Sequence, residues 1–267
     1  MNNKPVLFID SGIGGIPYCM DFIKKNPREA VCYLADHENY PYGPRGKEEL
    51  ADILNLLLEK LLTKIEPKIA VLACNTATIA ALSSLRKNFS QIPFVGTVPA
   101  IKPAANASSK GKVGVLGTAR TIEEVNNLNL ADKSCEIFGI AAPELVDFIE
   151  LHFDDSEKEK NIEIVKKYVD LFKAENVDTL VLGCTHFLFL LEEFRREAAP
   201  YFEVFDSLEG ITKRIEYLLD ENGGFLRSKE ESFPEHRLFV TGKKASCAFW
   251  ERRAHSLGFN LVMLDEL

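Results

Sequence analysis

With 267 residues, 46% of them hydrophobic, the chain has room for one large domain or two of ordinary size around a buried core. A net charge of −8 with no basic stripe argues against nucleic acid as a partner. The longest apolar runs, such as Ile69–Ala73, are only strand-length, which excludes a bilayer span.

The chain opens with Met1-Asn-Asn-Lys-Pro and goes straight into the apolar run Val6–Ile9 without a signal pattern, so a cytoplasmic protein is expected. A glycine-rich turn, Asp10–Gly15, comes after that strand. The next strand, Val31–Leu34, gives way to an irregular loop, Asp36–Gly46, fixed by two prolines and two glycines. Glu48–Leu62 carries Leu50, Ile53, Leu54, Leu57, Leu58 and Leu61 at the spacing of one helix face. Lys68–Ala73 is the third strand.

A domain boundary is suggested at residues 94–112, where Phe94–Ala100 leads into an Ala/Ser-rich helix and a loop ending at Gly111. Strands Lys112–Leu116 and Cys135–Ile140 come next, then a helix over Ser156–Ala174 and strands Thr179–Leu182 and Glu203–Phe205. The cluster Asp154-Asp155-Ser156-Glu157 reads as a solvated helix end. A second boundary falls near 205–210, ahead of a helix over Leu208–Leu219. Residues 223–236 read as a surface loop before strands Arg237–Val240 and Asn260–Leu264. Alternation of this kind specifies an α/β fold of mostly parallel sheets covered by helices. In such folds ligands sit beyond the carboxyl ends of the strands, so the turns there carry the search.

Six cysteines, at 19, 32, 74, 135, 184 and 247, include no CxxC and no Cys/His spacing suited to zinc. They are expected to be reduced thiols without a metal. Two of them sit in matching contexts. Ile69-Ala-Val-Leu-Ala-Cys74-Asn75-Thr76 and Thr179-Leu-Val-Leu-Gly-Cys184-Thr185-His186 are each an apolar strand, a small residue, a cysteine, two polar residues and a helix. Two related α/β halves facing each other bring both turns to one cleft. A thiol between a strand end and a helix start lies near backbone N–H groups and the positive end of the helix dipole, and both favour the thiolate. Inverting a stereocentre needs proton removal on one face and delivery on the other, which a pair of thiols in opposed halves can do.

Around them stand further candidates. Asp10-Ser11-Gly12-Ile13-Gly14-Gly15 lets backbone approach an anion such as a substrate carboxylate, while Asp10 can bind an ammonium group or assist a thiol. Tyr42 and the Gly43 N–H are natural carboxylate ligands. Asn75, Thr76, Thr185 and His186 offer donors and acceptors beside the thiols, and His186 can act on Cys184 or bind a side-chain carboxylate. Thr118 and Thr121 either bind ligand or cap the next helix. Glu150, in a long amphipathic segment, reads as a solvated carboxylate.

The set Phe8-Ile-Asp10-Ser11-Gly-Ile-Gly-Gly15, Tyr40-Pro41-Tyr42-Gly43, Ala73-Cys74-Asn75-Thr76-Ala77, Gly114-Val-Leu-Gly-Thr118 and Leu182-Gly-Cys184-Thr185-His186, in this order and at these separations, resembles the glutamate racemase family over nearly the whole chain. The resemblance implies two pseudo-symmetric α/β domains, residues 1–97 plus 208–267 and residues 98–207, with the active site in the interdomain cleft. It implies cofactor-independent interconversion of L- and D-glutamate, supplying D-glutamate for peptidoglycan. Cys184 would deprotonate L-glutamate and Cys74 D-glutamate, within a substrate shell of Asp10, Ser11, Tyr42, Gly43, Asn75, Thr76, Thr185 and His186. It further implies a homodimer without pyridoxal phosphate, metal or nucleotide.

The chain departs from the family pattern at Phe187-Leu188-Phe189, where Tyr-Pro-Leu is usual, at Asp206-Ser207-Leu208-Glu209, where small residues are common, and at Ala142-Pro143-Glu144. These positions bear on cleft shape, dimer contacts and substrate preference. Three alternatives stay open: a related racemase for another acidic amino acid, a non-catalytic acidic amino-acid binder on the same fold, and a redox protein pairing Cys74 with Cys184.

Overall fold

The computed structural model describes residues 4–126, 135–152, 158–224, 226–228, 233–242 and 247–264. The chain divides into two compact units, Met1–Thr97 with Leu208–Leu267, and Val98–Ser207.

The first unit is built on six parallel strands: β1 (Val6–Asp10), β2 (Val31–Ala35), β3 (Ile69–Leu72), β4 (Phe94–Gly96), and, from the C-terminal segment, β9 (His236–Thr241) and β10 (Phe259–Leu264). Their order is β10-β9-β2-β1-β3-β4, with every neighbouring pair parallel. β1, β2 and β3 are buried along their whole length, which is why they read as continuous apolar runs rather than alternating ones. The helices of this unit are α1 (Ile16–Lys25), α2 (Lys47–Leu62), α3 (Asn75–Asn88), α9 (Leu208–Gly224) and α10 (Cys247–Leu257).

The leucine stripe of α2 forms one core with the sheet: Leu50, Leu54, Leu57, Leu58 and Leu61 cluster with Leu7, Ile9, Leu34, Ala70 and Leu72. Each such side chain stabilises the unit by roughly 2 kcal/mol. Phe22 of α1 packs on Phe8, their ring centroids 5.8 Å apart. At the amino ends of the strands, Lys68 and Glu29 form a buried ion pair. The other Glu29 oxygen accepts the Ser228 N–H at 3.1 Å, which fixes the stretch after α9.

The second unit has four parallel strands, β5 (Lys112–Gly117), β6 (Glu136–Ala141), β7 (Thr179–Leu182) and β8 (Glu203–Phe205), in the order β6-β5-β7-β8. Its helices are α4 (Ile101–Ala107), α5 (Ala119–Asn126), α6 (Pro143–His152), α7 (Lys158–Ala174) and α8 (Leu191–Ala198).

All nine expected strands are present, along with the three helices read from periodicity. β4 is an addition to them, at the start of the Phe94–Ala100 stretch read as a domain boundary. The loop expected at residues 223–236 is corrected at its start, since α9 continues to Gly224, and Arg227 then pairs with Asp220 at 2.7 Å. Part of that loop, residues 225 and 229–232, and the acidic cluster Asp154-Asp155-Ser156-Glu157 lie outside the described residues. Ala142-Pro143-Glu144 marks the start of α6, where proline's missing N–H costs nothing. No helix among the described residues is long and apolar enough to cross a membrane.

Candidate active site

In the first unit the candidates gather beyond the carboxyl ends of three neighbouring strands. Asp10 ends β1 opposite Ala35 of β2, and the Ala73 N–H extends the ladder from β3 to Ile9 of β1. Asp10 is fully buried, and its Oδ1 accepts the Gly12 N–H at 2.9 Å, which folds the chain into the glycine turn. Ser11 is buried beside it. Tyr33 locks the same turn: its hydroxyl donates to the Gly12 carbonyl at 2.8 Å and accepts the Gly15 N–H at 3.1 Å. A Cβ on Gly15 would lie 2.6 Å from the Ala73 Cβ, so glycine is required for the turn to pass against the residue preceding Cys74.

Cys74 occupies the N-cap position of α3 with extended backbone (φ −141°, ψ 122°). Asn75, Thr76 and Thr78 are buried in the first turn behind it. The loop after β2 is organised by Asp36, also fully buried. Its carboxylate accepts the Tyr42 hydroxyl at 2.7 Å, the Asn39 side-chain amide at 3.0 Å and the Thr241 hydroxyl at 2.7 Å. The Tyr42 hydroxyl therefore points at Asp36. Burial first, then the Asp36 charge, hold that phenol protonated well above its ordinary range, and negative charge at Cys74 and Asp10 pushes the same way. Asp10, Tyr42 and Cys74 thus share one electrostatic neighbourhood. Gly43 is partly exposed, and a Cβ there would meet nothing within 4 Å, so its backbone is accessible.

In the second unit, β5 and β7 are neighbours and Gly183 donates to the Leu116 carbonyl, so Thr118 and Cys184 stand just beyond adjacent strand ends. Cys184 repeats the geometry of Cys74 (φ −130°, ψ 138°). The segment after it differs from expectation. Thr185–Leu190 is a 3-10 helix, and α8 begins only at Leu191, so Cys184 lacks the full helix start that Cys74 has. Phe187 and Leu188 are buried in the core, which accounts for an apolar departure at these positions.

His186 lies beside the sulfur instead. Its Nδ1 lies 3.8 Å from the Cys184 sulfur and its Nε2 2.8 Å from Glu150 Oε2. Burial opposes a charged imidazole, but the contacts with Cys184 and Glu150 outweigh it and raise His186 well above its ordinary range. The buried imidazole thus bridges a thiol and a carboxylate.

Glu150 is a correction to the sequence reading. It is 2% exposed rather than solvated. Leu145, Val146 and Ile149, all buried on the same stretch of α6, put it on the apolar face, and that pattern is the signal the sequence offers. Tyr33, whose partners Gly12 and Gly15 lie well upstream, carries no such signal, and neither does the contact of Asp36 with Thr241.

Thr185 is buried next to His186. Thr118 Oγ1 accepts the Thr121 N–H at 3.2 Å and lies 3.0 Å from Thr121 Oγ1, a helix-capping arrangement for α5. Thr121 is fully buried, whereas Thr118 is partly exposed. Among the described residues, no group of three or more His, Cys, Asp or Glu side chains is placed to hold a metal ion.

A family model described as Asp/Glu/Hydantoin racemase matches residues 24–213. The glutamate racemase of Streptococcus gordonii is 33% identical over 262 residues, covering 97% of this chain and 96% of its own. Among solved structures, glutamate racemase isoform RacE1 from Bacillus anthracis superposes with a TM-score of 0.82 at 29% identity, covering 99% of this chain and 98% of that one. The Escherichia coli glutamate racemase in complex with L-glutamate and the activator UDP-MurNAc-Ala gives 0.82 at 28% identity over 97% of both chains.

Proposed function

The chain belongs to the Asp/Glu/Hydantoin racemase family, and from that premise we propose that it is a glutamate racemase interconverting L- and D-glutamate without a cofactor. The observation that carries the reading is the matched pair of buried thiols at equivalent strand ends, Cys74 and Cys184, each in extended N-cap geometry. In this reading one thiol stands on each face of the substrate α-carbon.

The Cys184 thiolate takes the α-proton of L-glutamate, and the Cys74 thiol gives its proton to the opposite face, which yields D-glutamate. Cys184 ends as thiol and Cys74 as thiolate, and the reverse turnover restores them. His186, held by Glu150, supports the charge on Cys184. Asp10, Ser11, Gly43, Asn75, Thr76, Thr118, Thr121 and Thr185 form the substrate shell, and Tyr42 contributes through its place in the loop. Backbone N–H groups and hydroxyls aimed at the substrate carboxylate stabilise the carbanion-like state in a dry site. The reading includes a cytoplasmic homodimer that supplies D-glutamate for peptidoglycan.

The test is proton NMR of L-glutamate in D2O with the purified protein and no added cofactor, run in parallel with circular dichroism. Loss of the α-proton signal together with decay of the optical signal to zero is expected. Cys74→Ala and Cys184→Ala should each abolish racemisation while leaving exchange of one enantiomer's α-proton possible. Full activity in either variant overturns the two-thiol mechanism. No reaction with glutamate but turnover of another acidic amino acid would reassign the substrate.

A further inference from the structure

We propose that Thr241, at the end of β9, is a positioning residue for the substrate loop Asp36–Gly43, and that the C-terminal segment thereby sets substrate affinity. The inference rests on the racemase reading of this site. Its starting point is register: Ala35 of β2 pairs with Val240 of β9, so Thr241 falls beside Asp36 where the ladder ends. Thr241 is buried. Its hydroxyl donates to Asp36 Oδ1 at 2.7 Å and accepts the Glu38 N–H at 3.1 Å. A hydroxyl has one proton. That proton goes to the carboxylate, so the oxygen's lone pair is what receives the amide. One side chain therefore pins both the carboxylate at the head of the loop and the backbone two residues on.

The next residue reinforces the contact. Gly242 has φ +100°, and a Cβ there would lie 3.6 Å from the Glu38 nitrogen, so the chain turns away close against the loop. On the other side of Asp36, the carboxylate holds Tyr42 through its phenol, and Arg45 Nε ties down the Asn39 carbonyl at 2.8 Å. The line from Thr241 through Asp36 to Tyr42 ends at the accessible Gly43 backbone. None of these groups is a proton donor or acceptor in the reaction. Loosening them should affect how glutamate is held more than how its proton moves.

The experiment compares steady-state racemisation by the wild-type protein with that of Thr241→Val, Thr241→Ser and Tyr42→Phe. Valine keeps the shape and removes the hydroxyl, and is expected to raise KM for glutamate on the order of tenfold, the scale of one charge-assisted hydrogen bond, with kcat within about threefold. Serine restores the hydroxyl and should return KM to within about twofold of wild type. Tyr42→Phe removes a different donor from the same carboxylate without touching β9 and should raise KM in the same sense.

Unchanged KM in Thr241→Val or in Tyr42→Phe, failure of serine to rescue, or an equal loss in kcat overturns the inference. If Thr241→Val does not fold, the serine and phenylalanine variants still decide it. A wild-type protein inactive on glutamate overturns the racemase reading itself, whereas an active wild type with an indifferent Thr241→Val overturns only this inference.

Discussion

Replacing Glu150 by glutamine removes one of the two charges that raise the His186 titration, the other being at Cys184. The side chain keeps its size, and its amide oxygen can still accept the Nε2 bond that spans 2.8 Å in the native protein. What disappears is the carboxylate charge. A hydrogen bond involving an ionised group contributes about 1.5–3 kcal/mol, against about 0.5–1.5 for a neutral one, so the imidazolium loses on the order of 1 kcal/mol. That lowers the His186 titration. The native group is raised above its ordinary value because Cys184 and Glu150 together outweigh burial, which alone would lower it. Such a group contributes stability that is fully present below its unfolded value near ~6.5 and is lost as pH rises through its folded value.

Relative to the native protein, Glu150→Gln should therefore lose most stability at or below about pH 6.5, with the deficit shrinking at higher pH. The measurements are an NMR titration of the imidazole nitrogens and urea unfolding at several pH values. The alkaline limb of racemisation should also move to lower pH. A His186 that titrates unchanged in the variant, or a deficit that grows with pH, would refute the argument.

Gly15→Ala forces a Cβ to 2.6 Å from the Ala73 Cβ and 3.0 Å from the Tyr33 hydroxyl. A backbone shift beside Cys74 should cost about 1–3 kcal/mol in thermal unfolding and lower kcat at least roughly tenfold; an unaltered melt with full activity rejects this. Lys68→Met leaves the buried Glu29 carboxylate without its cation and should cost about 3–5 kcal/mol in urea unfolding. The double variant Lys68→Met/Glu29→Leu should recover most of that loss, and equal or greater destabilisation in the double would contradict the charge argument.

The sheets are readable in the sequence because parallel strands buried on both faces are continuous apolar runs, as Val6–Ile9 and Thr179–Leu182 show. The paired thiols are readable because each ends such a run. β4 escapes notice because Phe94-Val-Gly runs directly into Thr-Val-Pro-Ala, which reads as a boundary segment. The turn after Cys184 reads as an ordinary helix because Thr185–Leu190 is apolar enough to pass for one, whereas it forms a 3-10 segment. Glu150 reads as solvated because its carboxylate carries no mark of its partner, His186, which is 36 positions away. The Asp36–Thr241 contact joins residues 205 apart, and only the placement of β9 beside β2 brings them together. Local pattern reports which face of an element is apolar. It does not report which distant polar group completes a buried carboxylate.

The interrupted first unit also has a consequence for the order of synthesis. A nascent chain makes β1 to β4 first, then the whole of the second unit, and only afterwards β9, which pairs with β2. Until His236 and the residues after it have left the ribosome, β2 presents an open edge of unpaired N–H and C=O groups, the kind of surface that templates aggregation. The second unit is contiguous in sequence and has no such wait. A chain cut short before β9 thus has Cys74, Cys184 and both of their strands already made but lacks the Thr241 hydroxyl that Asp36 accepts in the whole protein.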